Sequence, residues 1–244
     1  MNPSSRFAQR YGAPQRITRS CSTPGCGKTA PRGHVDRCHT CAGRLRRFGH
    51  PLQTLPASYD LDTAIRRMET QPASVSNLFD FPALERRWQE TVGTCRGNAE
   101  PSYRTQGRFT HNKYETAASA IIRDIGEALT FTRAFDLVAA LHLLQIERGA
   151  FRTEEALEFC TVEALRRAAG IGRFITEMRE SNGTIRRSFR QEVSRGARQT
   201  AGKMIRLGLG VAAQALAQRE AMRADRERET WTAYWQAVQT IAAE

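Results

Sequence analysis

Lysine is almost missing from this chain: of 37 basic residues only Lys28, Lys113 and Lys203 are lysines. The rest are arginines, whose planar guanidinium pairs with carboxylate or phosphate at two points. An arginine-biased genome accounts for that choice of residue but not for where the cations sit. Long apolar runs are also missing. The most apolar stretch, Leu207 to Ala217, is about 11 residues long and rich in Gly and Ala, well short of the roughly 20 needed to span a bilayer. The opening MNPSSRFAQRYGAP lacks the hydrophobic segment of a secretory signal, so the expectation is a soluble, cytoplasmic protein. Strand signals are absent too, with no alternating Val/Ile/Thr runs and no Asn-Gly turn between such runs. Familiar catalytic patterns are lacking. There is no Gly-x-Ser-x-Gly and no His-Glu-x-x-His. Gly170-Ile-Gly172 has neither the strand nor the spacing of a phosphate loop. Asp60 with Asp62, and Glu154 with Glu155, read as helix starts, where acids suit the helix dipole.

Acidic residues are scarce at one end. Residues 1–54 hold Asp36 as their one acid and balance at +9, residues 55–172 at −2, residues 173–228 at +7 and the last 16 at −2. Two basic zones thus flank a near-neutral middle, a distribution that draws in polyanions, nucleic acid first among them.

Four of the six cysteines fall within 21 residues, as Cys21-x4-Cys26 and Cys38-x2-Cys41. With no export signal, that pattern points to metal rather than disulfides. Pro24 and Gly25 bend the first pair into a knuckle, and an 11-residue loop brings the chain back to the second. Four thiolates around one structural Zn2+ carry a net −2, which Lys28, Arg32, Arg37 and Arg44 offset. A redox Cys-x-x-Cys at Cys38–Cys41 is the competing reading. It lacks a βαβ context and leaves Cys21 and Cys26 unexplained. His34 and His39 are spare donors that four thiols do not require. Cys95 and Cys160 stand alone, and Cys160 fits a helical core position.

The four cysteines are followed by Arg44-Leu45-Arg46-Arg47-Phe48-Gly49-His50-Pro51. Together these residues resemble a short zinc module common in phage and prophage proteins, in which the second pair precedes an Arg-rich turn ending in Gly-x-Pro. That module occurs alone or beside HNH nuclease or other DNA-binding domains. The resemblance covers about 30 of the 244 residues. The family usually has His as fourth ligand where Cys41 stands here; a thiolate closes a structural site equally well. The resemblance implies a phage or mobile-element setting, in a bacterial cell or infected host, and a surface for DNA. It implies no nuclease, because His34, His39, His50, His111 and His142 are scattered and His111-Asn112 has no partner His. Arg44, Arg46 and Arg47 would project from a metal-fixed turn towards phosphate.

The expected fold is mainly α. A flexible basic tail (1–20) precedes a zinc-knuckle or ribbon-like module (21–51), a linker with one weak helical pattern at Leu61, Ile65 and Met68 (52–77), an all-α domain (78–182), and a long C-terminal helical tract (183–244). Within the domain, Leu78–Val92 reads as a helix and Gly93–Arg108 as a loop. Asn112 and Thr153 read as helix caps, and Gly149 and Gly170 as helix stops. In the last tract Ile185, Phe189 and Val193 form an apolar stripe. Arg186, Arg187, Arg190 and Arg198 fan over the other sides as a second phosphate-binding surface. Further on, Trp231, Tyr234, Trp235, Val238 and Ile241 recur at helical spacing. That stripe either folds back onto the 113–170 helices or meets a second subunit or another protein.

The function expected is that of a zinc-containing, DNA-binding accessory or regulatory protein. Two rivals stand beside it. One is a protein-interaction or inhibitor module in which zinc is a staple. The other is an enzyme whose site is assembled from scattered residues of the helical body, His111 and His142 among them.

Overall fold

A computed structural model describes residues 19–30, 36–69, 79–99, 112–171, 176–179, 185–188 and 193–243; for Glu69, the 176–179 and 185–188 strands and the last two of these residues, it describes the backbone alone. The first 18 residues, Arg32, His34, His111 and Arg190 lie outside the described residues. Two short strands, β1 (Arg19–Ser20) and β2 (Thr29–Ala30), pair antiparallel. Helix α1 (His39–Phe48) follows and is closed by Gly49 in the left-handed region at φ 71°, a conformation glycine enters without a Cβ clash. Helices α2 (Ser58–Glu69), α3 (Phe81–Asn98), α4 (Lys113–Ala128), α5 (Phe131–Arg148) and α6 (Glu154–Ala168) succeed it.

Local sequence sets most of these boundaries. Asn112 caps α4 in a full capping box with Glu115, its Oδ1 accepting from the Tyr114 and Glu115 N–H groups at 2.9 Å each. Thr130 and Thr153 cap α5 and α6, and Gly149 ends α5 at φ 56°. Each such cap satisfies donors that the first helical turn leaves unpaired.

Three stretches depart from the expectations. The supposed linker holds the helix its pattern implied, α2, but Leu61, Ala64, Ile65 and Met68 are buried in the common core. Their i, i+3, i+4, i+7 spacing makes one narrow stripe, and ion pairs tie the helix to its neighbours: Asp60–Arg148 at 2.9 Å, Asp62–Arg133 at 3.6 Å, Arg67–Glu147 at 2.8 Å and Arg67–Glu220 at 3.4 Å. Helix α3 runs on through Gly93 and Gly97, read as loop residues. Trp88, Val92 and Cys95 are buried on one side while both glycines face open space, so tertiary burial outweighs about 1 kcal/mol of poor propensity per glycine. The third departure is β3 (Thr176–Arg179) pairing antiparallel with β4 (Ile185–Ser188), Thr176 opposite Ser188. This stretch was expected to be helical. The Ile185–Phe189–Val193 spacing of four satisfies a period of two as well as one of 3.6. Thr176 and Ile185 are β-branched, and Asn182-Gly183 between the strands is a strong hairpin signal.

Helix α7 (Arg195–Ile205), capped by Ser194, passes through one π-helical turn (Arg206–Gly210) into α8 (Val211–Ala243), 33 residues long. Helix α5 is the axis of the core, packed by α2, α6 and the first half of α8, while α4 lies against α3 and α7. Two glycines allow helices to approach closely. A Cβ on Gly126 of α4 would stand 2.4 Å from Val92 Cγ2 of α3, and one on Gly202 of α7 3.0 Å from the Glu158 carbonyl oxygen of α6.

Candidate metal centre

The cysteines are brought together by two turns and a helix start. Gly25 and Gly27 both adopt positive φ (73° and 62°) between Cys21 and the second strand, letting the chain fold tightly around the first pair. The Cys26 N–H donates to Thr23 O at 3.1 Å and the Cys21 N–H to Lys28 O at 2.8 Å, closing that knuckle. The Ser22 N–H donates to Asp36 O at 2.8 Å, which draws the second pair alongside. Cys38 is the N-cap of α1 and Cys41 lies in its first turn.

The four Sγ atoms all lie within 4.8 Å of one another. Cys26 and Cys38 are 3.6 Å apart and Cys26 and Cys41 3.3 Å apart. A tetrahedron with metal–sulfur distances of about 2.3 Å has edges of about 3.8 Å, so the set is close enough to hold a metal ion. Among the described residues no other group of three or more His, Cys, Asp or Glu is so placed.

Backbone donors favour thiolates here. The Cys38 N–H donates to Cys21 Sγ at 3.3 Å and the Cys41 N–H to Cys38 Sγ at 3.4 Å. The nearby Thr23 hydroxyl, followed by the Cys38 N–H, pulls the Cys21 thiol down to about 6, and the Cys41 N–H lowers Cys38. Burial pushes Cys41 up to about 12. Cys21 and Cys38 are thus biased towards thiolate and Cys41 towards thiol, and metal binding requires thiolate donors. Cys160, on α6, is also pushed up to about 12 by burial and behaves as the core residue its pattern implied.

The cations expected to contact nucleic acid divide into four groups. Lys28, Arg46 and Arg47 are exposed at the module, and Lys28 Nζ donates to Thr40 Oγ1 at 3.5 Å. Arg37 and Arg44 are half-buried. Arg186 and Arg187 fall on β4, where side chains are outside the described residues. Arg198 corrects the expectation: it is 4% exposed, pairs with Glu163 of α6 at 2.9 Å and donates to the Arg47 carbonyl at 3.5 Å. It is a strut inside the fold, not a phosphate contact.

The metal module is seated on α6. Phe48 is buried, and Gly49 lies so close that a Cβ there would be 3.2 Å from Phe159 Cδ2. Gln53 locks the segment that follows. Its Nε2 donates to the Ala150 carbonyl at 3.0 Å and its Oε1 accepts from the Arg152 N–H at 3.2 Å. Gln53 was not anticipated from sequence, since nothing local marks a polar residue that pairs 97 positions away. At the far end, Trp231, Tyr234, Trp235 and Ile241 are exposed, Trp231 at 62%, and the stripe does not fold back onto the 113–170 helices. Its rings contact one another edge-on along α8, at 5.8 Å for Trp231–Tyr234 and for Tyr234–Trp235.

No family model, curated protein or solved structure matches this chain. No single helix among the described residues is long and apolar enough to cross a membrane.

Proposed function

We propose that the chain is a zinc-containing, DNA-binding accessory or regulatory protein of a phage or mobile element. Cys21, Cys26, Cys38 and Cys41 hold one structural zinc in a small knuckle-like module. The observation that carries this is the four-sulfur cluster at the start of α1, with Arg46 and Arg47 exposed on the same short helix. Zinc is favoured over other ions because four cysteines form its commonest closed structural site and offer no open coordination position. The +9 balance of residues 1–54 adds the long-range field that brings a polyanion to that surface. The cytoplasm, where thiols stay reduced, suits such a site.

The test is affinity for a mixed-sequence duplex across a salt series, comparing wild type with the triple variant Arg44→Ala, Arg46→Ala, Arg47→Ala. Each lost phosphate contact lowers the log–log salt slope by about 0.9, so the variant should flatten by roughly two to three. Equal slopes in both proteins would remove DNA from the module. A second reading has its own support in the exposed aromatic stripe of α8: a protein-interaction module, with a partner or a second copy covering Trp231, Tyr234, Trp235, Val238 and Ile241, and zinc as a staple. It predicts DNA binding that is weak and insensitive to the three arginines.

A further inference from the structure

The passage from α7 to α8 is not a regular helix. Its π turn admits an extra residue into one side of the helix, a distortion that recurs at functional sites. At this turn lies a cavity of about 490 Å³, walled by α5, α6, α7 and the first turn of α8. That volume is within the range of small-molecule sites. Val138, Leu157 and Ile205 supply apolar walls, and His142, Glu158 and Arg206 converge on the same space.

The polar groups are unevenly matched. Glu158 is a buried carboxylate, 7% exposed, and its Oε1 forms an ion pair with Arg206 Nε at 3.2 Å. The same guanidinium also pairs with Glu154, so one cation serves two carboxylates. Arg206 is 45% exposed, and its head can leave into water while Glu158 stays behind. His142 makes no hydrogen bond among the described residues, and its Nε2 would lie 3.9 Å from a Cβ on Gly210. Burial lowers the His142 pKa and raises that of Glu158, the latter opposed by Lys203 and reinforced by Glu155. Glu155 is taken by Arg195 at 2.8 Å, whereas Glu158 shares the Arg206 guanidinium with Glu154. A buried carboxylate needs a close, well-aligned cation or donor, and here the cation it has is shared and half in solvent.

We propose that this cavity binds a small organic cation: an apolar body about one ring in size, bearing an ammonium or amidinium group that Glu158 receives in place of Arg206. The displaced guanidinium keeps its pair with Glu154, so no charge is stranded. The apolar walls select the body and the carboxylate selects the charge.

The full chain is titrated with benzamidine and with its neutral near-isostere benzamide at neutral pH, followed by amide NMR. Expected are saturable shifts at the Gly202, Leu207 and Gly210 amides, with benzamidine at least about tenfold tighter than benzamide. In Glu158→Gln that difference should vanish. The proposal is overturned by equal affinity of the two probes for wild type, by no saturable shift up to about 10 mM, or by shifts centred on Trp231 and Trp235. Should Glu158→Gln fail to fold, the comparison of probes on wild type decides alone.

Discussion

A buried arginine between the metal module and the body shows how far one side chain can be from its sequence-level role. Arg198 sits in an Arg-rich run whose other members suit a solvated face, yet it is enclosed and paired with Glu163. Glu163 also has Arg166 at 3.6 Å and Arg167 at 3.5 Å. Losing one partner of an isolated buried pair costs about 3–5 kcal/mol. Because two other guanidinium groups remain, Arg198→Ala should cost less, about 2 kcal/mol by urea denaturation. The DNA salt slope should stay at its wild-type value. A flattened slope with unchanged stability would return Arg198 to the phosphate-binding set. Periodicity could not show this, because it reports which residues share a face but not which charge on the far side meets a carboxylate from another helix.

At the scale of elements, the contact between α3 and α4 turns on Gly126. The Cβ it lacks would collide with Val92, a β-branched side chain with little freedom at χ1. Ala is better than Gly in a helix interior by about 1 kcal/mol, but forced overpacking costs about 1–3 kcal/mol. Gly126→Ala should therefore destabilise by about 1 kcal/mol in wild type and stabilise once Val92→Ala has made room, a sign reversal that a double-mutant cycle in urea reads directly. The same sign in both backgrounds would mean that α3 and α4 stand further apart. The capped starts of α4 and α6 and the glycine stops at Gly149 and Gly170 were legible in the sequence, since a cap is a bond between residues two or three apart. The extent of α3 and the β3–β4 hairpin were not. In the first, burial of Cys95 carries the helix past two glycines; in the second, one spacing fits both helix and strand.

Across the whole molecule the metal module is a packed part of the body, through Gly49 against Phe159, Gln53 against the α5–α6 connection, and Arg195 paired with Glu155 at 2.8 Å. On the zinc reading, chelation should therefore lower the melting temperature of the entire chain. With a few kcal/mol of docking lost, the fall for a chain of this size is roughly 5–10 °C in calorimetry. An unchanged main transition, with a separate small one lost, would show a module that folds alone. The far end of α8 is a different case, because its exposed aromatics contribute little to the fold of a single chain.

The sequence by itself determined the four-cysteine cluster, the basic charge at the N-terminal end, the mainly helical class and the helix limits at Asn112, Gly149, Thr153 and Gly170. All of these are carried by residues near one another along the chain. Tertiary structure alone decided that α2 belongs to the core, that Arg198 is a strut, that Gln53 clasps the module to the body, and that His142, Glu158 and Arg206 share one cavity. Those outcomes depend on which helix faces meet, and the energy of burying a charge or a glycine contact is set by neighbours tens of residues away, which no local pattern records.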